Sequence, residues 1–382
     1  MSDRQIQNVG IIGGGQLAWM MADAAQKLNL NLIVQTPHPS DPAASIADRV
    51  ILAPIDDAAA TAQLAALCDV ITFENEFIDL EALQAIARQD TIFRPRLQAL
   101  APLLDKYDQR SYFKSLGLPV PDFRLLDEEN PDPPDRFPAV LKARRHGYDG
   151  YGTFIVKSQE EFSQLWERLN RPSLLLEEFV PFEKELAIMA ARGATGEIAL
   201  YPVVETQQEK EVCRRVIAPA DISPEVSLQV SAIAQQLLNR LEVIGIFGIE
   251  LFLTRDGKIS VNEIAPRTHN SGHYTLDACD ISQFEMHLRA VAGLPLATPQ
   301  LTNCEGAVMV NLLGYETSHC DYAEKRAKLA EIPNARVHWY GKSESRPGRK
   351  LGHITVLLQQ GELEKANAIA RRVEALWYSR EP

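Results

Sequence analysis

Residues 261 to 273 read Val-Asn-Glu-Ile-Ala-Pro-Arg-Thr-His-Asn-Ser-Gly-His, which places a carboxylate, two amides, an arginine and two histidines on one short stretch. Side chains of these types bind and polarise anions; they add little to a core. Just upstream lies a strand-like run, Phe247 to Leu253, and the link between the two, Thr254-Arg255-Asp256-Gly257-Lys258, holds an Asp-Gly pair. That pair is the favoured centre of a two-residue type I′ hairpin. A turn centred there sets Glu250 opposite Glu263 on one face of the ladder, with Cβ atoms about 4.5 to 5.5 Å apart. Two carboxylates so placed repel each other, so the pair is solvated, neutralised by a basic side chain, or bridged by a hard divalent cation, which takes oxygen ligands and shares them with nucleotide phosphates. Arg267, His269 and Asn270 just beyond favour the metal. Regular alternation turns Asn262 away from Glu263, so contact of both with one ligand needs a bulge.

Lys142 precedes a glycine-rich loop, Gly147-Tyr148-Asp149-Gly150-Tyr151-Gly152-Thr153, that lies between two strand patterns and lacks the GxxxxGK[ST] spacing of a P-loop. Flexible backbone amides over a cation suit a lid on a triphosphate; the alternative is a mobile hairpin without a ligand. Lys342 and Arg346-Pro347-Gly348-Arg349-Lys350 form a basic patch in an acidic chain. Such a patch suits a terminal phosphate monoester, and equally a solvated loop. Gly13-Gly14-Gly15 with Ala18 matches the dinucleotide fingerprint, yet the next strand ends Val34-Gln35-Thr36 without the acid that holds a ribose. A phosphate or polar ligand other than NAD is therefore favoured over a purely structural turn.

These groups need elements to carry them. Val9 to Ile12, the glycines, Gln16 to Leu28 and Asn31 to Gln35 read as strand, turn, helix, strand. A further strand, Asp69 to Phe73, ends in Glu74-Asn75-Glu76, at the carboxyl end where open parallel sheets bind ligands. Residues 1 to about 95 thus read as a doubly wound α/β unit. A helix near 106 to 116, a Pro-rich loop from 127 to 138, strands at 139 to 143 and 153 to 157, a helix at 160 to 169 and a strand at 173 to 176 make the middle α+β. Beyond residue 300 come strands at 307 to 312, 336 to 340 and 353 to 358, then Leu363, Ala366, Ile369, Ala370, Val373 and Leu376 at helical spacing, a core face.

With 382 residues the chain has room for two or three domains. A net charge of −12 argues against a general nucleic-acid surface, which needs a basic stripe. No apolar run approaches the roughly 18 residues that span a bilayer, and the N-terminus enters a strand pattern without a signal peptide, so a cytoplasmic enzyme with no membrane partner is expected. The five scattered cysteines lack zinc spacing and fit reduced thiols, with Cys279 as buried filler.

Gly13-Gly14-Gly15-Gln16-Leu17, Gly147-Tyr148-Asp149-Gly150, Asn262 to Arg267 through His273, Ser282-Gln283-Phe284-Glu285 and Arg346 to Lys350 resemble, in order and over essentially the whole chain, the 5-(carboxyamino)imidazole ribonucleotide synthase family of ATP-grasp ligases. The resemblance implies an ATP-grasp architecture: an N-terminal parallel-sheet domain (1–100), an ATP-grasp domain (101–298, with a mobile lid at about 118–184) and a small C-terminal domain (299–382). It implies carboxylation of the exocyclic amine of 5-aminoimidazole ribonucleotide with ATP and bicarbonate, in purine biosynthesis, by a homodimer. Lys106, Lys142, Gly147 to Thr153, Glu177, Glu178, Phe179, Val180, Glu185, Gln208, Asn262 and Glu263 would hold ATP. Glu250 and Glu263 would hold Mg²⁺, or Mn²⁺ in its place. Arg267, His269 and Asn270 would handle bicarbonate or carboxyphosphate; Gln16, Glu74 and Glu76 would face the acceptor, with Lys342, Arg349 and Lys350 at its phosphate. The chain departs from the family's usual Gly-Arg at Ala18-Trp19, from a basic residue at Tyr151, from proline at Thr268 and from an Asn-x-His-like segment at Thr206-Gln207-Gln208. Two rivals are weaker: a formate-using glycinamide ribonucleotide transformylase lacks the HisAsnSerGlyHis string, and an NAD dehydrogenase needs the missing acid. A nucleotide-binding protein without activity would have lost Glu250, Glu263 or Lys142.

Overall fold

The computed structural model describes residues 5–88, 91–145, 147, 152–209 and 212–379. At the N-terminal end, the strands Arg49–Leu52, Asn31–Thr36, Asn8–Ile12 and Val70–Phe73 lie side by side in that order, all parallel. Both faces are covered, Val9, Ile11 and Val34 packing on one core and Ile12, Ile33 and Ile71 on another. This is why these strands read as unbroken apolar runs rather than alternating ones. The run expected as a single helix is two, Gln16–Trp19 and Ala22–Leu28, with the change of direction at Met20 and Met21.

The segment expected as the lid forms a separate antiparallel sheet in the order Phe123–Leu126, Leu174–Glu178, Ala139–Ala143, Thr153–Val156. Ser158 caps its helix, Gln159–Arg168, by accepting from the Glu161 amide, and Phe162, Leu165 and Trp166 pack that helix onto the sheet.

Among the described residues the largest sheet has nine strands. Its path runs Ile259–Ala265, Gly245–Thr254, Phe182–Arg192, Val204–Glu209, Val212–Ala218, Gly306–Leu313, Lys350–Leu358, Ala335–Trp339, with Ile198–Leu200 beside Phe182–Arg192. The C-terminal strands therefore continue the central sheet through ladder bonds between Val212–Ala218 and Gly306–Leu313. The helix Pro224–Leu241 starts on the Ser223 cap with proline in its first turn and buries Val226, Val230, Ile233, Leu237 and Leu241 against that sheet. In the last helix, Ala366–Trp377, the buried residues are Ala366, Ala370, Val373 and Trp377. Leu363, expected on that face, is 37% exposed, because a 3-10 turn at Leu363–Lys365 precedes the α-helix and breaks its 3.6-residue register. Among the described residues no helix is long and apolar enough to cross a membrane.

Candidate active site

Glu250 does face Glu263, but not through a type I′ turn. That turn needs positive φ at both central residues; here Gly257 alone has it, at +78°, and the loop closes with the Thr254 amide donating to the Lys258 carbonyl at 3.0 Å. Near the turn, Leu253 pairs with Ile259 and Leu251 with Val261, a register that would leave Glu250 opposite Asn262. A bulge between Glu250 and Leu251 then admits Asn262 as an extra residue and restores the carboxylate pair. The same bulge brings the Asn262 amide to the carboxylates: Lys142 Nζ donates to its Oδ1 at 3.0 Å, and its Nδ2 lies 3.4 Å from Glu250 Oε2.

Cations balance this acidic ledge. Lys106, the first residue of the helix Lys106–Ser115, pairs with Glu263. Burial works against the charged form of Glu263, but Lys106 outweighs it and holds the carboxyl below its usual range. Among the described residues, Asn262 Nδ2 lies 3.4 Å and His269 Nε2 3.6 Å from Glu250, and burial followed by the charge of Glu263 pushes it up to about 7. Burial and the Glu250 charge likewise lift Glu185 to about 7, and Gln208 Nε2 lies 3.3 Å from that carboxylate. Lys142 is 2.7 Å from Glu177, which also binds Arg110. Glu177 and Arg110 are 3% and 2% exposed, so Glu177 orients Lys142 from below rather than facing the cleft openly.

On the other flank, Arg267 makes a two-pronged bond to Glu76 at 2.6 and 3.1 Å. Glu74 sits at the glycine turn, its Oε1 3.3 Å from the Leu17 amide; a Cβ on Gly13 would stand 2.7 Å from its Oε2, and Gly13 has φ +112°. The glycines expected to admit a phosphate or another polar ligand thus admit a carboxylate of the chain itself. Burial raises the Glu74 carboxyl above its ordinary value. His269 Nδ1 lies 2.9 Å from Ser271 Oγ and 3.4 Å from the Ser271 amide, and its Nε2 is 3.6 Å from Glu250 Oε1. Asn270 is held by a reciprocal amide pair with Asn311 at 2.9 and 2.7 Å. Asn311 Nδ2 also donates to the Cys213 carbonyl at 2.9 Å, which fixes the orientation of both amides.

A cleft of about 700 Å³ collects these groups. Its lining includes Gln16, Glu74, Glu76, Lys106, Lys142, Gly147, Thr153, Glu177 to Val180, Glu185, Gln208, Glu250, Asn262, Glu263, Arg267, His269, Asn270 and Lys350. A larger hollow of about 1240 Å³ beside the helix Gln159–Arg168, lined by Arg144, Arg145 and Arg168, contains none of the paired carboxylates and is not the seat of the chemistry. Lys342 Nζ donates to Gln16 Oε1 at 2.6 Å, joining the C-terminal patch to the first domain. Arg349 instead turns to Glu344, donating to its carbonyl at 2.9 Å. Tyr148, Asp149, Gly150 and Tyr151 lie outside the described residues. Sequence reasoning missed Arg110 and Asn311, and also the Phe182–Phe252 stack, ring centroids 4.9 Å apart, on the cleft wall; Gln283 stood in the Ser282 to Glu285 string without a role. Only Arg110, one helical turn after Lys106, left a trace in the residue spacing.

The comparisons with known proteins match the chain from end to end. Residues 6–102 match the ribonucleotide synthetase pre-ATP-grasp domain, residues 111–284 the ATP-grasp domain, and residues 307–366 the phosphoribosylaminoimidazole carboxylase C-terminal domain. The N5-carboxyaminoimidazole ribonucleotide synthase of Synechocystis sp. is 50% identical, over 98% of this chain and 99% of its own. The protein of the same name from Synechococcus elongatus is 52% identical, over 97% and 96%. The solved structure of N5-carboxyaminoimidazole synthase from Aspergillus clavatus in complex with ADP and 5-aminoimidazole ribonucleotide is 33% identical, covers 96% of this chain and 98% of that one, and superposes with a TM-score of 0.86.

Proposed function

The chain belongs to the N5-carboxyaminoimidazole ribonucleotide synthase family of ATP-grasp ligases, and we propose that it converts 5-aminoimidazole ribonucleotide, ATP and bicarbonate to 5-(carboxyamino)imidazole ribonucleotide, ADP and phosphate. The observation that carries this reading is the bulged ledge of Glu250, Asn262 and Glu263, set between the lid-side Lys142 and the acceptor-side Arg267 in one cleft.

Two carboxylates and an amide oxygen form an all-oxygen donor set of the kind that suits Mg²⁺, or Mn²⁺. Bound there, the ion would supply positive charge against the nucleotide phosphates. Lys142 and Lys106 add cationic donors on either side of the ledge, and Glu177 keeps Lys142 from swinging away. Glu178, Phe179 and Val180 present the adenine side, with Glu185 and Gln208 toward the ribose. The Gly147 to Thr153 loop, including Tyr148, Asp149, Gly150 and Tyr151, is read as the cover.

Bicarbonate is a poor electrophile. Its oxygen first takes the γ-phosphoryl group, forming an O–P bond as the bond to ADP breaks; fixed positive charge stabilises that transfer. Arg267, His269 and Asn270 are the groups for the resulting carboxyphosphate. The exocyclic amine then attacks its carbon, a C–N bond forms, the C–O bond to phosphate breaks, and the amine gives up a proton. Gln16, Glu74 and Glu76 orient the acceptor, while Lys342 and Lys350 meet its phosphate. Arg349 joins them on exchanging Glu344 for that phosphate. A cytoplasmic homodimer completes the reading, on family membership alone.

The test is phosphate release with Mg²⁺ and ATP. It should rise strongly with 5-aminoimidazole ribonucleotide plus bicarbonate and stay low with glycinamide ribonucleotide plus formate. The opposite pattern would overturn the assignment.

A further inference from the structure

Ser282-Gln283-Phe284-Glu285 is the sequence string the chemistry above leaves unused, and the structure gives each of its residues a task. Ser282 caps the helix Gln283–Ala292 by accepting from the Glu285 amide at 3.2 Å. Phe284 is fully buried, and Glu285 ties the helix to the first domain through Lys27 at 2.7 Å. Gln283 is different: its side chain is fully buried and aimed not at its own helix but at the His269 to His273 segment. Its Oε1 accepts from the His269 amide at 2.9 Å; its Nε2 donates to the His269 carbonyl at 2.8 Å and lies 3.0 Å from His273 Nδ1. Its own amide donates to Thr275 Oγ1 at 2.9 Å, and that hydroxyl donates to the Gly272 carbonyl at 2.6 Å. A Cβ on Gly272 would stand 2.6 Å from Gln283 Oε1, so the segment is closed around this one amide.

The pattern permits one assignment. The amide of His269 can only donate and its carbonyl can only accept, so the orientation of the Gln283 amide is fixed by backbone rather than by choice. The second Nε2 proton of Gln283 then points at His273 Nδ1, which must be the acceptor. His273 is consequently neutral, with its single proton on Nε2. Burial, reinforced by the charge of Lys350, holds His273 well below the usual histidine range, in keeping with a neutral ring.

We infer that Gln283 is a positioning residue for the transfer chemistry: it clamps the backbone on both sides of His269 and sets His273 as the Nε2-protonated tautomer. The kinetic part rests on the proposed function; the tautomer does not. The isosteric change Gln283→Glu keeps the acceptor for the His269 amide and removes both N–H donors. It sets a carboxylate oxygen against the His269 carbonyl and calls the His273 proton across to Nδ1. Gln283→Met keeps the volume and breaks the whole clamp.

The experiment has two arms. In the first, the full chain is labelled with ¹⁵N-histidine, the His273 signals are assigned by their loss in His273→Gln, and long-range proton–nitrogen spectra report which ring nitrogen is protonated. The wild type should show a bare Nδ1 and protonated Nε2, and Gln283→Glu should move the proton to Nδ1. A wild-type spectrum with protonated Nδ1 overturns the inference without recourse to any variant. In the second arm, both variants are assayed below their unfolding temperatures. A displacement of His269 by about 1 Å predicts a fall in kcat of roughly a hundredfold with the KM for ATP nearly unchanged. A residue that only stabilises the fold would lower the unfolding temperature and leave kcat near the wild-type value, and that result would also overturn it. Failure of the wild type to respond to 5-aminoimidazole ribonucleotide would refute the functional reading and leave the tautomer result standing.

Discussion

Metal binding at the carboxylate ledge should be coupled to one proton, and the structure says which. Glu250 is lifted to about 7 by burial and then by the charge of Glu263, whereas Glu263 is kept ionised by Lys106. Lys106 is itself held charged: burial opposes the cation, and Glu263 outweighs it. Displacing Lys106 by a metal therefore moves a cation but no proton, and of the two ledge carboxyls the proton comes from Glu250; Glu185, also lifted to about 7, adds its own release where the ion's charge reaches it. With a pKa near 7 for the empty site, the carboxyl is about nine-tenths protonated at pH 6, so Mn²⁺ affinity there should be roughly tenfold weaker than above pH 8, or about 1.4 kcal/mol. Near pH 7 about half a proton should leave per ion bound. Isothermal calorimetry on the nucleotide-free chain, in two buffers of different ionisation enthalpy, measures both quantities without any turnover. Glu250→Gln should bind Mn²⁺ more weakly at every pH and lose the slope between pH 6 and pH 8. Equal wild-type affinity at those two values, or a slope that survives in Glu250→Gln, would refute the assignment of the proton.

Three further outcomes are expected. Glu177→Gln leaves Lys142 and Arg110 buried without their shared carboxylate; breaking such a pair from one side costs about 3 to 5 kcal/mol, so chemical denaturation should show a loss of that size and the KM for ATP should rise. Lys342→Ala removes a cation that sits beside Gln16, and a charge-assisted bond worth about 1.5 to 3 kcal/mol predicts a ten- to hundredfold higher KM for the ribonucleotide with ATP little affected; no change in either constant would mean a solvated loop. His287 is buried and neutral, its Nδ1 accepting from the Ile246 amide at 3.3 Å and its Nε2 3.0 Å from Thr72 Oγ1, and burial lowers it to about 4. Its contribution to stability is complete above the unfolded value near 6.5 and is lost as pH falls toward 4, on the order of 3 kcal/mol; His287→Gln should be less stable at pH 7 and flatter between the two, as urea unfolding at pH 7 and pH 4.5 would show.

What the residues disclose and what they conceal divide along a physical line. The N-terminal parallel sheet, the lid strands around the glycine loop and the paired carboxylates are legible because each depends on local spacing: apolar runs, glycine turns, and two acidic positions flanking a tight link. Even there the link misleads, since Asp256-Gly257 does not form the turn its composition favours, and the face of Glu263 is recovered by a bulge at Asn262 that no residue spacing announces. The strand Phe182–Arg192, the scaffold for the hairpin, also went unread, because Leu186 to Ala191 are buried on both faces and show no alternation. The partners of the charged and polar groups are the least legible of all. Lys106 reaches Glu263 across 157 positions, Asn270 reaches Asn311 across 41, and Gln283 returns 14 positions to His269. Burial makes those partners obligatory, since an amide or a charge without one is costly inside a protein. Burial does not say where along the chain they lie. The polar residues of the 261 to 273 string can therefore be recognised as chemistry from their density alone, while the residues that aim them become visible only when the sheet has brought distant strands into register.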